Sequence, residues 1–383
     1  MEVLRGDREA RLAARGFDVS RQRLAREYKR KRTTLAGVRI FAYIAISAAL
    51  LRGLTFDLKS WASVFGGGPP QYALYTIALY FLFWIPVIPV GLFGGFVLER
   101  RYGMSVQGLR SWLADAAKGL VIGLGFSIVA VEALYLLLGA SPDLWWLFAW
   151  FFTIAVAVVL TWLGPVVLAP LFNSYERVRD DVLTPRLESL AERTGAKVVG
   201  VYRMLASAKT TRAIGGLAGI GNTRRIVLSD TLLTRYAPDE VETVIAHELG
   251  HHVHRDVLRL MIAAAAVSLI GLLAVDQILR AAIPTLGLAG VADIAGLPLV
   301  ALSIAAISTF MGPVLNALSR RWEARADSFA LRMTANPDAF TSTMVKIHDQ
   351  NLGVADPHPL AELLFHDHPS GLRRVEAALR WRS

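Results

Sequence analysis

The chain has 383 residues, of which 54% are hydrophobic and 19% charged, with a net charge of +10 and a mean hydropathy of +0.44. These values exclude a disordered protein and are atypical of a soluble domain of this size. Because the sequence contains no cysteine, disulfide scaffolds, cysteine-ligated metals and thiolate nucleophiles are excluded as well.

Residues 1–34 form a basic N-terminal arm ahead of the first long apolar stretch. The arm is too long and too acidic for the n-region of a signal peptide, so we expect no cleavable signal. An arginine-rich arm that binds RNA is the alternative, but residues 1–39 carry five acidic residues and no interleaved aromatic platform. We therefore predict no nucleic-acid partner.

Six apolar stretches follow, and most are long enough to cross a bilayer. They lie at about 35–56, 72–98, 119–140, 144–175, 260–281 and 294–319. We predict an α-helical integral membrane protein with four transmembrane helices in residues 35–175 and two in residues 260–319. The lipid bilayer is therefore a predicted partner.

The basic residues are distributed unevenly between the two sides of the membrane. If the N-terminus is inside, only Arg52, Lys59 and Arg280 of the 41 Lys and Arg fall outside. The positive-inside rule then predicts that both termini are cytoplasmic. The Arg-rich, Lys-poor composition is typical of a bacterial protein, so we predict a multi-pass protein of the bacterial inner membrane.

Three ionisable residues fall in the outer half of the predicted spans: Arg52, Glu132 and Asp276. Isolated charges facing lipid are costly, so we expect them to face one another or water. A buried ion pair without a cavity is the alternative interpretation.

The inner segment 176–259 contains two strand-like runs, 197–204 and 224–229, separated by a glycine-rich stretch at 214–221. The stretch lacks the G-K-[ST] ending of a phosphate loop. We interpret it as a flexible hairpin, with an edge strand that binds substrate as the alternative.

A helix is predicted to begin at Pro238, which suits the first helical position. Neither a proline nor a glycine pair interrupts residues 239–270. We therefore expect this helix to continue without a break into the fifth span.

This helix contains the sequence HELGH at residues 247–251. Spacing of four places His247 and His251 on one face, where both can bind one zinc ion, while Glu248 can address a water on that ion. The nearby His252 and His254 fall on other faces, and we interpret them as surface groups or as partners of the ligands. A third histidine six residues after His251 is excluded because that position is valine.

The third ligand is predicted on the helix that follows the sixth span. Asn316, Arg320, Glu323 and Asp327 form one stripe at spacings of four, three and four. Glu323 is the natural third ligand, and Asp327 can accept the outer N–H of a ligating histidine. The alternative is an exposed, charged helix end.

Topology supports this pairing. The loop at 284–296 is short, so the fifth and sixth spans form an antiparallel hairpin. His251 precedes one span and Glu323 follows the other, so both lie at the cytoplasmic end.

A last group of histidines comprises His358, His366 and His368. His368, ahead of Pro369, could donate to the oxyanion that forms on a cleaved carbonyl, and Arg374 could assist or bind a C-terminal carboxylate. A solvated loop is the alternative for these histidines.

These motifs together resemble the integral-membrane zinc metalloproteases of the type 1 CAAX prenyl protease kind. The resemblance covers nearly the whole chain, and its marks are PLFN at 170–173, RRIVLSDTLL at 224–233, HELGH at 247–251, N-x-x-S-R-x-x-E-x-x-x-D at 316–327 and HP at 368–369.

The resemblance implies a gluzincin-like catalytic domain, mostly helical with a small β-sheet, in a ring of helices that encloses a water-filled chamber. In this chain the domain would comprise residues 176–259 and 320–383. The resemblance also implies one zinc per chain on His247, His251 and Glu323, with Glu248 as base. Asp327 occupies the place of an aspartate sometimes assigned as proton donor.

Two departures from the family pattern are visible. Relatives carry an Asn-Ala-Tyr run on the strand that binds substrate, whereas the corresponding positions here are Ile214, Gly215 and Gly216. Eukaryotic members have a seventh span, and the segment 359–365 is too short to provide one.

We therefore predict a zinc metalloendopeptidase, a hydrolase whose partners are peptides, lipopeptides or membrane proteins. Its substrate could be a prenylated or other lipid-linked peptide. A quality-control protease of the heat-shock kind is the first alternative. A non-catalytic, lipid-handling bundle with a vestigial HELGH is the second, and it belongs to a different functional class.

Overall fold

The computed structural model describes residues 2–219 and 223–382. Within them, six helical segments are long and apolar enough to cross a bilayer, which confirms the predicted fold class. We number them spans 1 to 6: Val19–Phe65, Pro69–Arg101, Leu109–Ala140, Trp145–Phe172, Asp256–Leu286 and Ile294–Thr334. Consecutive spans pack against one another, and span 6 returns to contact span 1, so the six spans close a ring.

Several spans are divided into shorter helices. The helices of residues 2–172 are α1 (Glu2–Ala14), α2 (Val19–Ala49), α3 (Thr55–Ala62), α4 (Pro69–Trp84), α5 (Ile88–Leu92), α6 (Leu98–Arg101), α7 (Leu109–Ala140), α8 (Trp145–Leu163) and α9 (Ala169–Phe172). Span 1 is interrupted at Gly53, which has a φ of +131°. Glycine adopts this backbone conformation much more readily than residues that carry a Cβ. Pro86 and Pro89 in span 2 and Pro165 in span 4 lack the N–H that a continuous helix requires.

The rest of the described chain contains the strands, which all lie before residue 230, and a series of helices. The helices are α10 (Leu183–Arg193), α11 (Asp230–Leu233), α12 (Pro238–Val253), α13 (Asp256–Leu286), α14 (Leu297–Thr334), α15 (Pro337–Gln350), α16 (Pro359–Phe365) and α17 (Gly371–Arg382). The strands are β1 (Tyr175–Arg177), β2 (Val201–Met204), β3 (Gly215–Ala218) and β4 (Arg225–Ser229).

The four strands form one sheet in the order β1-β2-β4-β3, with β2 and β4 parallel and the outer pairs antiparallel. Both predicted strands are confirmed, the first only in its C-terminal part. The glycine-rich stretch supplies β3, an edge strand paired as a hairpin with β4. Residues 220–222, which include its last two positions, lie outside the described residues.

The predicted continuous helix through residues 239–270 is wrong. Helix α12 ends at Val253, Arg255 adopts a left-handed conformation with φ of +55°, and α13 begins at Asp256. Neither proline nor glycine marks this break, so helix propensity did not reveal it. The break is held by tertiary contacts of Asp256, described below.

Spans 5 and 6 form the predicted hairpin, which returns the chain to its starting side. Helix α12 then packs closely against the inner half of α14. At this contact a Cβ on Gly250 would lie 3.1 Å from Cα of Ala326 and 3.2 Å from Cδ1 of Phe329. The glycine of HELGH therefore lets the two ligand-bearing helices approach each other.

Helix α1 packs onto the C-terminal helices of a core that also contains residues of α10, α12 and the sheet; we call the part of the chain around this core the inner domain, after its predicted side of the membrane. Leu12 and Phe17 are buried, with exposures of 0% and 3%, in the same apolar core as residues of α12, α15 and α17. Arg8 pairs with Asp356 at 2.8 Å. The arm is therefore packed into the inner domain.

Asp276 follows the alternative interpretation, an ion pair, although its partner is neither Arg52 nor Glu132. Asp276 is buried and accepts hydrogen bonds from Nε1 of Trp145 at 2.6 Å and from Nε of Arg280 at 2.9 Å. Arg52 is exposed and, among the ion pairs of the described residues, makes none with Asp276 or Glu132. Arg280, one turn further along the same helix, pairs with the carboxylate of Asp276 instead.

Candidate metal centre

Three side chains converge at the end of the hairpin opposite the loop at 284–296. The nearest ligand atoms of His247, His251 and Glu323 all lie within 4.8 Å of one another. Nε2 of His247 is 3.2 Å from Nε2 of His251 and 3.2 Å from Oε2 of Glu323, and Nε2 of His251 is 3.3 Å from Oε1 of Glu323. The structure thus brings together the three residues that sequence reasoning selected.

These distances fit a tetrahedral metal ion. Ligands at about 2.0–2.1 Å from zinc lie about 3.3 Å from one another, close to the spacings found here. Two ring nitrogens that face each other across 3.2 Å share either a proton or a cation, and Oε2 of Glu323 is buried without a hydrogen-bond donor. The donor set therefore fits a metal on which one coordination position stays open.

Each imidazole is oriented by a carboxylate behind it. Nδ1 of His247 lies 2.9 Å from Oδ1 of Asp327, as the stripe on α14 predicted. Nδ1 of His251 lies 3.0 Å from Oδ2 of Asp256. Both contacts leave Nε2 directed at the shared point, and such partners fix the tautomer of a ligating histidine.

Sequence reasoning missed Asp256. Five residues after His251, it would lie about 140° away from it on a continuous helix. The left-handed residue Arg255 turns the chain, so that Asp256 faces back toward His251. Arg325 of α14 donates to the other oxygen of Asp256. The available signal was the position of Asp256 at the first residue of span 5. A carboxylate buried there requires a hydrogen-bonding or charged partner.

Arg374 is buried behind Asp327. Its Nε donates to Oδ2 of Asp327 at 2.8 Å and a terminal nitrogen donates to Oδ1, and only 10% of its side chain is exposed. The guanidinium is therefore engaged by Asp327, and the geometry favours a positioning role over the predicted binding of a C-terminal carboxylate.

The site favours positive charge. Burial opposes protonation of His247, but the adjacent carboxylates of Asp327 and Glu323 outweigh it and raise its pKa to about 9. Burial likewise opposes protonation of His251, and Glu323 raises its pKa above the usual value. A cluster that stabilises positive charge on two neighbouring imidazoles is suited to a divalent cation.

Glu248 lies next to the cluster and faces the sheet. It is half-buried, and a Cβ on Gly216 of β3 would lie 3.8 Å from its Oε2. A Cβ on the neighbouring Gly215 would lie 2.8 Å from Cγ1 of Val244, so only glycine fits there without a shift. Strand β3 thus approaches α12 closely, with one edge paired to β4.

His368 reaches the cluster from the C-terminal segment. Its Nε2 lies 3.1 Å from Oε1 of Glu323 and its Nδ1 lies 2.8 Å from Oδ1 of Asp367, while half of its side chain is exposed. These two hydrogen bonds raise the pKa of His368 to about 10. A half-exposed imidazole therefore stands at the rim of the cluster, with both of its ring nitrogens directed at carboxylates.

The other predicted histidines lie outside the cluster. His252 stands 3.4 Å from Arg224, His254 bonds to the carbonyl of Gly250, and His358 accepts from the first turn of α16. For His252 and His254, these contacts agree with the prediction that neither is a metal ligand.

Asn316 and Arg320, on the same stripe as Glu323, also have other partners. Asn316 donates to the carbonyl of Leu364, and Arg320 donates to the carbonyls of Glu362 and His366. Both residues therefore hold α16 and the loop after it.

Comparisons with known proteins agree with this architecture. The sequence model of peptidase family M48 matches residues 179–382, and the one described as CAAX prenyl protease N-terminal, five membrane helices, matches residues 13–174. Within residues 13–174 the structure has four candidate spans, one fewer than that description gives.

Several curated proteins are similar over most of the chain. The Bacillus subtilis metalloprotease YhfN is 28% identical over 86% of this chain and 78% of its own length. The human CAAX prenyl protease 1 homolog is 24% identical over 82% of this chain and 75% of its own length. The rice homolog is 25% identical over 76% of this chain and 69% of its own length. The crystal structure of S. mikatae Ste24p superimposes with a TM-score of 0.83 at 20% identity, covering 94% of this chain and 89% of that one.

Proposed function

This chain belongs to peptidase family M48 and is a membrane metalloprotease, and from that premise we propose that it is an endopeptidase with one zinc ion on His247, His251 and Glu323. The observation that carries the proposal is the convergence of three ligand atoms from two helices at 3.2–3.3 Å. When bound, zinc supplies a Lewis acid that polarises a peptide carbonyl and lowers the pKa of water.

Glu248 is the proposed general base. It stands beside His247 in sequence, is half-buried, and faces β3, so its carboxylate borders both the cluster and the strand edge. It takes a proton from the attacking water and passes that proton to the leaving amine. His368 is the proposed donor to the oxyanion, which would stabilise the charge that develops on the carbonyl; its Nε2–H, which now contacts Oε1 of Glu323, would have to turn from that carboxylate to the substrate.

Asp327 and Asp256 are the proposed positioning residues. Both are buried, with exposures of 6% and 5%, and each binds a histidine Nδ1 and an arginine. These contacts favour an orienting role for Asp327 over the proton donation that the resemblance implied.

The proposed substrate is a peptide in extended conformation along the free edge of β3. Peptides add to exposed sheet edges through backbone hydrogen bonds, and side-chain pockets give specificity. By the family resemblance, Ile214, Gly215 and Gly216 correspond to the Asn-Ala-Tyr run of relatives, so we propose that recognition in this chain depends on the backbone of β3 more than on an amide side chain. Several relatives are named CAAX prenyl protease 1, and we propose a lipid-linked peptide.

We further propose that residues 176–259 and 320–383 form one catalytic domain on the cytoplasmic face of a bacterial inner membrane. Support comes from the basic residues, of which only Arg52, Lys59 and Arg280 fall on the other side in the predicted topology.

Substrate competition tests the proposed function. Zinc-loaded protein is offered a farnesylated C-terminal peptide, the same peptide without lipid, and an unfolded membrane protein, with Glu248→Gln as the inactive control. Faster cleavage of the lipidated peptide supports the proposal, whereas preference for the unfolded membrane protein supports a quality-control role. No cleavage of any substrate by protein that contains zinc would contradict both.

A further inference from the structure

Helix α16 exposes apolar side chains and buries its acidic side chain, which is the reverse of a surface helix in water. Leu360, Leu363 and Phe365 are 61%, 51% and 73% exposed, and Leu364 is 38% exposed, whereas Glu362 is only 5% exposed. A surface helix in water turns its apolar stripe inward and its charges outward. This inversion indicates that the medium outside α16 is apolar.

The position of α16 in the fold agrees with such a medium. Nδ2 of Asn316 donates to the carbonyl of Leu364 at 2.9 Å, and Arg320 donates to the carbonyl of Glu362 at 3.1 Å. Both donors lie on α14 where the apolar stretch of span 6 ends. Helix α16 is therefore held beside the C-terminal end of the apolar stretch of span 6.

We propose that α16 is an interfacial membrane-binding helix whose exposed apolar face enters the inner leaflet. Seven residues are too few to cross a bilayer, but a short helix with one apolar face can lie in the interface. The bilayer is the occupant that the observations favour, because α16 is fixed by side-chain hydrogen bonds to span 6. The apolar surface of that span, at Phe310 and Val314, is 76% and 50% exposed.

The same helix is tied to the catalytic loop. Oε1 of the buried Glu362 accepts a hydrogen bond from the backbone of Ser370 at 3.1 Å, and Arg320 also donates to the carbonyl of His366 at 2.6 Å. Between these two anchors stands His368, which contacts Glu323. Membrane contact by α16 therefore places the His368 rim of the site at the membrane surface.

Spin-label accessibility tests this inference, and the absence of cysteine means that single-cysteine variants need no background removal. Leu360→Cys, Leu363→Cys and Phe365→Cys are labelled in lipid nanodiscs. Collision with oxygen, which partitions into lipid, is compared with collision with a water-soluble nickel chelate. Phe310→Cys in span 6 is the lipid reference, and Val182→Cys, at a position 71% exposed in the inner domain, is the aqueous reference.

The account predicts that labels on α16 collide with oxygen severalfold more than with the chelate, as Phe310→Cys does, but at a shallower depth. Chelate collisions as frequent as those of Val182→Cys would overturn the inference, since α16 would then face water. Labels shielded from both reagents would also overturn it, because a protein surface would then cover the helix. The substituted positions are exposed, so all five variants are expected to fold.

Discussion

Replacement of Glu248 is expected to distinguish the proposed proton transfer from metal binding. It borders the cluster without contributing a ligand atom to it, and its side chain faces β3. We expect Glu248→Gln to keep the zinc and to lower turnover by roughly 10²-fold or more, because an amide cannot accept the proton. Zinc analysis and peptide cleavage on the same preparation provide the measurement. A variant that cleaves peptides at the original rate would remove Glu248 from the mechanism.

Asp256 is expected to act on zinc affinity through His251. Replacement of Asp256 by Asn keeps the shape of the side chain but removes the charge that orients His251 and that binds Arg325. We expect zinc affinity to fall roughly 10–100-fold, measured by competition with a chelator. Asp181→Asn, at an exposed carboxylate of the same domain, is the matched control, and equal affinity in both variants would contradict the positioning role.

Spacing predicted the three ligand residues because two of them share one helical face and the third lies on a stripe fixed by the hairpin. Asp256 could not be predicted in the same way. Its contact depends on a left-handed backbone at Arg255, and no proline or glycine marks that conformation. The engagement of Arg374 by Asp327 likewise follows from the packing of α17, which sequence spacing does not reveal.

At the scale of elements, the approach of α12 to α14 determines whether the ligands meet. Gly250→Ala places a methyl group 3.1 Å from Cα of Ala326, and a clash with backbone is relieved only by separating the helices. We expect a loss of about 1–3 kcal/mol of stability together with weaker zinc binding. Gly6→Ala, in α1 where no atom lies within 4 Å, should be neutral or stabilising. Thermal unfolding and chelator competition compare the two, and equal behaviour would contradict this role of Gly250.

Helix α1 is expected to stabilise the inner domain. Leu12 is fully buried, and Leu12→Ala should lower the free energy of unfolding of this domain by about 2–5 kcal/mol. Arg11→Ala, which removes an exposed ion pair with Glu376, should cost at most about 1 kcal/mol. Resistance to limited proteolysis is the readout, and if Leu12→Ala is as resistant as Arg11→Ala, α1 is not part of the core.

Composition alone suggested that residues 1–34 are a charged arm, because charged residues outnumber the two side chains that anchor it, Leu12 and Phe17. The glycine-rich stretch left a hairpin and an edge strand as alternatives, and β3 has features of both. Helix α16 was too short to be a span, and its inverted faces become visible only when the partners of Glu362 are known.

For the whole molecule, hydropathy was sufficient to predict the six spans. A helix in lipid pairs its backbone polar groups internally and carries mostly apolar side chains, so each span is visible as a long apolar stretch. Ring closure between spans 1 and 6 and the pairing of Asp276 with Arg280 depend on packing between distant segments, which periodicity does not encode. The hairpin of spans 5 and 6 is the feature that links this architecture to chemistry, since it returns Glu323 to the two histidines.

Glu323, which is 72 residues from His251 in the sequence, is proposed to complete the metal site. Metal analysis of purified Glu323→Ala, beside wild type and the exposed-residue control Glu192→Ala, tests this proposal directly. The account predicts one zinc per chain in the wild type and the control, and loss of zinc and of peptide cleavage in Glu323→Ala. Wild-type zinc content and cleavage in Glu323→Ala would contradict it.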